Sequence, residues 1–343
     1  MKVAVYAGVK QIRFEDRPIP EAGPGQAVIK IKYNGICGTD MHLYFQGDPV
    51  VKPGIVLGHE NVGTIYELGK NVAGFKVGDR VVAGPPGPCG ECYFCLHGHP
   101  NICARGFPMT NGLGVDGGEA EYMLVRDARS MLFKIPENVS FEDAVLMDTI
   151  ATSYRGIVVS KFQLGYNVVV SGAGPIGLAA IQLLRLGGAN HITVLQKSEF
   201  RARLARQMGA DLVLNPDEPG IAEKITRLYE GVGADLVIEA AGQPKSFELC
   251  LNLVRPGGQV LNLGVTAQPA TVIQGLMVLH EVEIKNSLAY GGEEVRKVLS
   301  YMENGRLNIA GLFSGSIPLL DIVEKGFNRL AADRSLIKLA VAP

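Results

Sequence analysis

The chain has 343 residues, long enough for about two domains of ordinary size and a substantial core. Its 33 Lys and Arg nearly balance 34 Asp and Glu, which argues against nucleic-acid or anionic-membrane partners. Glycine is high, at 43 residues scattered singly or in pairs, as suits many tight strand–helix junctions.

The opening residues, MKVAVYAGVKQIRF, are too charged and strand-like for a secretory signal, so a cytoplasmic location is expected. Residues 1–150 read as β-rich, with alternating strands such as VIKIKY (28–33), RVVAG (80–84) and EYMLV (121–125) between Gly/Pro/Asp turns. Within this region GICGTDMH (35–42) supplies Cys37, Thr39, Asp40 and His42, and LGHENVG (57–63) supplies His59 and Glu60. One Cys and one His cannot close a zinc site, so a third protein ligand must come from elsewhere. A fourth position left open would take a substrate oxygen.

PCGECYFCLHGHPNIC follows, with Cys89, Cys92, Cys95 and Cys103 in a C-x2-C-x2-C-x7-C set. Four of the six cysteines crowd into fifteen residues of a large chain without a signal, a pattern that favours metal over disulfides. Four thiolates suit a closed tetrahedral Zn²⁺. Iron–sulfur ligation is the competing reading, and the second metal constellation favours zinc. His97 and His99 are surplus to this set.

From Gln163 the texture changes. VVVS (168–171), ITVL (192–195), LVLN (212–215), LVIEA (236–240) and QVLNLG (259–264) read as short buried strands. Helical patterns alternate with them: IGLAAIQLLRL (176–186), RARLARQM (201–208), IAEKITRLYE (221–230) and SFELCLNLV (246–254). The uncharged run between Lys161 and Arg185 reaches the ~20 residues of a membrane span. Its four Gly, Pro175, Asn167 and two Gln divide it into strand, turn and helix instead. The alternation predicts a parallel, doubly wound sheet.

At the first strand–helix junction stands Gly172-Ala173-Gly174-Pro175-Ile176-Gly177, a G-x-G-x-x-G loop. Gly172 permits the tight turn, Gly174 lets backbone approach a pyrophosphate, and Gly177 lets helix pack on strand. The loop N–H groups and the helix dipole would hold the anion. The tip of the next strand, where an acidic side chain would hold a ribose, carries Gln196 and Lys197 instead. The last segment, from about Leu288, has the helical EEVRKVLSYMENG and the strand SLIKLAV (335–341), expected to return to the first domain.

These motifs together resemble the zinc-containing medium-chain alcohol and polyol dehydrogenases over essentially the whole chain. The zinc signature G-H-E-x2-G-x5-G-x2-V is complete as Gly58-His59-Glu60, Gly63, Gly69 and Val72. CGTDMH, KVGDRVV (76–82), the four-cysteine lobe, GGEAEY (117–122) and GAGPIG are also present. The resemblance implies an α/β protein with a GroES-like β-rich catalytic domain at 1–152, carrying a structural zinc lobe at about 86–104. A Rossmann doubly wound domain would follow at 153–287, and 288–343 would rejoin the catalytic domain.

The resemblance also implies two Zn²⁺ per chain, the structural one on Cys89, Cys92, Cys95 and Cys103. Cys37, His59 and Asp148, in AVLMDTIATSY (144–154), would ligate the catalytic one, with Glu60 able to approach it during ligand exchange. Zinc would lower the pKa of an alcohol while hydride passes to the nicotinamide. Thr39 would accept the alcohol proton, relayed through the cofactor ribose to His42 and solvent, and Asp40 would bond His59. Thr152 would lie beside the nicotinamide. Gly38 is a departure, since some relatives carry Arg there toward the pyrophosphate.

Gln196 stands where NAD-preferring relatives place Asp; with Lys197 and Arg201 behind it, the expectation leans toward NADP or dual use. Substrate is expected to be a secondary alcohol, diol or polyol and its ketone, with Tyr44, Phe45, Leu113 and Tyr290 as pocket-lining candidates. A homodimer or homotetramer is implied. The rival readings are a zinc-free quinone or enoyl reductase, and a non-catalytic zinc-stabilised nucleotide binder.

Overall fold

The computed structural model describes residues 1–84 and 87–343. The chain divides into two compact units: Met1–Asp148 with Tyr290–Gly305 and Ile309–Pro343, and Thr149–Ala289 with Arg306–Asn308. No loop marks the first boundary, because the helix Met147–Val159 runs through it. The sequence-based edges therefore fall a few residues away, and Arg306–Asn308 groups with the second unit although the sequence reading gave it to the returning segment. Pro86, the first residue of the expected zinc lobe, lies outside the described residues.

In the first unit a hairpin, Lys2–Gly8 with Gln11–Asp16, accompanies a seven-stranded sheet. Across that sheet the order is Phe313–Pro318, Lys338–Ala342, Ala27–Gly35, Glu60–Leu68, Arg80–Ala83 and Leu132–Lys134, and Tyr122–Val125 also pairs with Ala27–Gly35. The returning segment thus adds two strands to a sheet begun at residue 27. Alternation sets the packing: Ala27, Ile29 and Ile31 face a core shared with Ile65, Val81, Met123 and Val125. The register puts Glu60 opposite Gly35 and Ala340 on the other side of Gly35. Lys338 and Glu60 consequently approach one another from strands flanking the same central strand.

The second unit is a six-stranded, all-parallel sheet. Its order is Leu212–Leu214, His191–Leu195, Asn167–Ser171, Ala234–Glu239, Val254–Asn262, Glu283–Asn286. The chain starts at Asn167–Ser171, winds outward one way and then the other, so the order reverses beside this strand. Such a switch point is where open parallel sheets bind ligands, and the glycine loop sits there. The edge strand Glu283–Asn286 has no counterpart in the sequence reading. Its alternating charged and apolar residues are largely exposed and lack the apolar run of the inner strands. Among the described residues no helix is long and apolar enough to cross a membrane.

Candidate active site

The first cluster is built at the start of the helix Gly38–Gln46. Cys37 is its N-cap, and the N–H of Cys37 donates to Asp40 Oδ2 at 2.8 Å, which orients a fully buried carboxylate. Asp40 Oδ1 lies 3.6 Å from His59 Nδ1, and neither atom has a hydrogen bond. Cys37, His59 and Glu60 each bring one donor atom to within 4.8 Å of the others. Glu60 fits only because its neighbour is glycine: a Cβ on Gly35 would sit 2.2 Å from Glu60 Oε2.

Asp148, the expected third zinc ligand, lies outside that 4.8 Å set. It lines a cavity of about 30 Å³ with His59, Thr110, Asn111 and Tyr290, among apolar neighbours such as Met123 and Met131. Its Oδ2 accepts a short hydrogen bond from the Tyr290 hydroxyl. Thr39 is exposed and His42 half-buried, three residues apart and so on one face of their helix. Of the other pocket candidates, Tyr44 stacks on Phe327 at 4.6 Å, Phe45 packs against the same core, and Leu113 packs on Leu43 and Leu57. Tyr44 is buried in that core, and Phe45 and Leu113 are half-buried against apolar clusters that the sequence order does not reveal.

Three residues of this cluster were not singled out by the sequence reading. Lys338 is 3% exposed and donates to both oxygens of Glu60 at 2.7 Å and to Ile36 O at 3.4 Å. Glu119, within the GGEAEY block, is completely buried with neither carboxylate oxygen bonded. Asn111, on the cavity wall, is 5% exposed and its Oδ1 is likewise unbonded. No spacing signal marks Lys338, whose partner is 278 residues away.

Does this cluster fit a metal dication? Cys37, Glu60 and Asp148 all act on the buried ammonium of Lys338, while Asp40 and Glu119, two further buried carboxyl groups, act on each other. Every resolved shift among them is toward holding a proton. Burial opposes charge on His59, yet Asp40 and Cys37 hold its pKa well above the usual value. Burial and the Glu60 charge push Asp148 up to about 6, and burial with the Asp40 charge raises Glu119. Burial works against the charge of Lys338, but Glu60 and Cys37 raise it further. A site that gathers protons this way is short of positive charge, and its thiol, imidazole and carboxylates are zinc donors. The residues fit.

The four-cysteine lobe fits equally well. The Sγ atoms of Cys89, Cys92, Cys95 and Cys103 lie within 4.8 Å of one another, with Cys89–Cys95 at 4.0 Å and Cys92–Cys103 at 3.8 Å. Thiolates about 2.3 Å from one tetrahedral ion stand about 3.8 Å apart. Disulfides would need about 2.05 Å, and all four cysteines are free. Backbone N–H groups support thiolate charge: Cys92 N donates to Cys89 Sγ, and Cys89 N and Arg105 N to Cys103 Sγ. N–H donors, led by that of Cys95, pull Cys92 down to about 6, whereas burial pushes Cys95 up to about 12. His97 turns to Tyr93 O and is not part of the set.

In the second unit, Gly172 has φ 99° and Gly177 is packed so tightly that a Cβ would lie 1.9 Å from Gly172 O. Gly174 has nothing within 4 Å of that position. Two glycines are therefore required by the protein itself, and the third leaves open space over the N-terminus of the helix Pro175–Leu186. That open cradle fits a dinucleotide pyrophosphate. Ala173, by contrast, is fully buried.

At the neighbouring strand tip, Gln196 Oε1 accepts from the N–H groups of Lys197 and Ser198, so its amide oxygen is used locally. Lys197 pairs with Asp217 at 2.6 Å. Arg201 lies in the helix Glu199–Gln207, and its N–H caps onto Ser198 Oγ at 3.5 Å. Thr152 is half-buried, one turn after Asp148 in the helix Met147–Val159.

Known proteins resemble this chain over its whole length. Residues 23–137 match the alcohol dehydrogenase GroES-like domain, and residues 175–304 the zinc-binding dehydrogenase domain. The chain is 33% identical over 363 residues to an alcohol dehydrogenase of Cupriavidus necator, covering 100% of this chain and 99% of that one. It is 33% identical over 311 residues to a sorbitol dehydrogenase of Halalkalibacterium halodurans, covering 89% of each. Among solved structures, a protein of Sinorhizobium meliloti described as a zinc-binding dehydrogenase bound to NADP superposes with a TM-score of 0.91. It is 29% identical, covering 100% of this chain and 99% of that one.

Proposed function

This chain belongs to the zinc-binding alcohol and polyol dehydrogenases, enzymes that move a hydride between an alcohol and a nicotinamide, and we propose that it interconverts a secondary alcohol, diol or polyol and its ketone at the Cys37–His59 cluster. The observation that carries the reading is the convergence of Cys37, His59 and Glu60 within 4.8 Å, in surroundings short of positive charge. Cys37, His59 and Asp148 would hold the catalytic zinc, with Glu60 as an exchanging carboxylate. When bound, zinc supplies Lewis acidity that lowers the pKa of an alcohol oxygen, and the nicotinamide supplies the hydride acceptor.

The chain's own residues do the rest. Asp40 faces Nδ1 of His59 and so keeps the other ring nitrogen directed to the cluster. Thr39, exposed at the first turn of its helix, takes the hydroxyl proton, and His42 on the same face carries it toward solvent. The second zinc belongs to the lobe, where four thiolates close the shell and leave no position for substrate.

For the cofactor we propose NADP or dual use. Gln196 presents no carboxylate to repel a 2′-phosphate, and Arg201 lies in the first turn of the helix that follows. The Lys197–Asp217 pair works against this reading, but both side chains are more than half exposed. An exposed pair of this kind is worth only about 0–1 kcal/mol and can be exchanged for a phosphate.

A homodimer or homotetramer is supported by an apolar edge on the second unit. Ile273, Val278 and Leu279 are 68%, 68% and 79% exposed beside the edge strand Glu283–Asn286. Six free cysteines suit the reducing cytoplasm.

Metal analysis tests the whole reading. Two zincs per chain are expected, Cys37→Ser and Cys92→Ser each losing one, with alcohol oxidation abolished by the first. One zinc that survives Cys37→Ser would end it.

A further inference from the structure

The segment that returns to the first unit brings a phenol to the metal cluster. Tyr290 is 3% exposed, and its hydroxyl donates to Asp148 Oδ2, 142 residues away in sequence. Both side chains line the same cavity as His59. Two other donors on that wall are committed elsewhere: the Thr110 hydroxyl to Gly106 O at 2.7 Å, and the Asn111 NH2 group to Asp116 O and Leu124 O. Just before Tyr290, Ala289 has φ 52°, a conformation that costs a non-glycine residue about 1 kcal/mol. Backbone held against its preference beside a site is a sign that the surrounding structure dictates where the next side chain points.

A carboxylate has about four lone-pair sites, and it turns freely about its last bond unless something holds it. A hydroxyl donating to one oxygen restrains that rotation. The bond also leaves the negative charge on Asp148, because a phenol lends a hydrogen bond without contributing a cation. Glu60 is held differently, with both oxygens against the ammonium of Lys338.

We propose that Tyr290 is a positioning residue for the catalytic zinc: its hydroxyl fixes the rotation of the Asp148 carboxylate, so that Asp148 meets the metal in one orientation. The inference rests on the reading of Asp148 as a ligand. It assigns Tyr290 to the metal site rather than to substrate contact alone. Removing a hydrogen-bond partner of a metal ligand commonly costs 10–100-fold in metal affinity or activity.

The test pairs Tyr290→Phe with Asp148→Ala in the full-length protein, using Zn²⁺ and Co²⁺ as probes. Phe keeps the ring and its packing and removes only the donor. Tyr290→Phe is expected to release zinc to a chelator about 10–100-fold faster, and to shift the visible ligand-field bands of the Co²⁺-substituted enzyme. It should lower kcat with little change in nucleotide KM, while far-UV circular dichroism and the lobe's zinc stay as in the parent. A role in packing alone would not move the Co²⁺ spectrum.

If Asp148→Ala loses the catalytic metal while Tyr290→Phe keeps the parent's spectrum and release rate, the inference is wrong and the ligand reading stands. If Asp148→Ala itself keeps the parent spectrum, the ligand reading falls and the inference falls with it.

Discussion

Replacing Lys338 by Met is the most direct probe of the cluster's electrostatics. The ammonium sits 2.7 Å from each oxygen of Glu60, with the two side chains 3% and 1% exposed. At an effective dielectric constant of 20, unit charges at that separation attract by about 6 kcal/mol, most of it offset by the cost of taking both from water. Truncating one partner removes the attraction and leaves the other's desolvation in place, which typically costs about 3–5 kcal/mol. Met nearly matches the volume of Lys, so the loss reports charge rather than a cavity.

The zinc-saturated protein would be unfolded in urea and followed by far-UV circular dichroism, since the chain has no Trp. Lys338→Met should lower the midpoint without changing the slope. Lys338→Met combined with Glu60→Leu should recover most of the loss, because no unpaired charge is left behind. A single-variant loss below about 1 kcal/mol, or a double variant weaker than the single, would refute the idea that the two are a mutually dependent pair.

Three further expectations concern the other sites. Gly174→Ala should fold normally, having open space at Cβ, and lose nucleotide affinity, whereas Gly177→Ala should also lose about 1–3 kcal/mol of stability by clashing with Gly172 O. Normal cofactor titration of Gly174→Ala would remove the loop as the pyrophosphate cradle. Gln196→Asp should move the ratio of kcat/KM values toward NAD⁺ by about tenfold, or about 1.4 kcal/mol; an unmoved ratio would show that this tip does not face the 2′ position.

Glu119→Gln addresses pH. Burial, then the Asp40 charge, raise the folded pKa of Glu119, against a smaller opposing effect of His59. The folded protein keeps a proton that the unfolded chain gives up, so stability is fully present below the unfolded value and declines as pH rises toward the folded one. In zinc-stripped protein, Gln should flatten that decline between about pH 5 and pH 8, read from urea midpoints; a parent and variant that fall in parallel would place the titration elsewhere.

What the sequence made legible was local. Cys37, Asp40 and His59 sit in short runs whose spacing carries their chemistry, as do the four lobe cysteines and Gly172, Gly174 and Gly177. Their roles depend on neighbours within a turn or a loop. Lys338 was not legible, nor was the pairing of Tyr290 (expected only as a pocket-lining residue) with Asp148, because these contacts span 278 and 142 residues. Sheet order alone brings Lys338 beside Glu60. The same limit explains Tyr44, Phe45 and Leu113, aromatic and apolar residues near a motif that pack against clusters assembled from distant parts of the chain. Glu119 lay within a quoted motif, yet nothing in GGEAEY separates a buried carboxyl from its exposed-strand alternative.

The partners of the acids also explain how one cluster can hold carboxylates with different duties. Asp40 is tied by the Cys37 N–H and set against His59, which in the proposed reading makes it the residue that orients a ligand. Glu60 has a full positive charge on both oxygens, and it can leave Lys338 at low cost only for another cation. Asp148 accepts from a neutral donor, which steadies it without itself bringing a cation. A carboxylate held on both oxygens by a cation suits transient approach, and one that accepts from a phenol suits standing ligation. Exchanging the two environments should exchange the roles. With Lys338→Met, Glu60 loses its alternative partner and should compete with substrate for the metal, seen as a raised KM for alcohol and a Co²⁺ spectrum that no longer responds to added alcohol. A Lys338→Met enzyme with the parent's alcohol KM and spectral response would show that Glu60 is held away by something other than its cation.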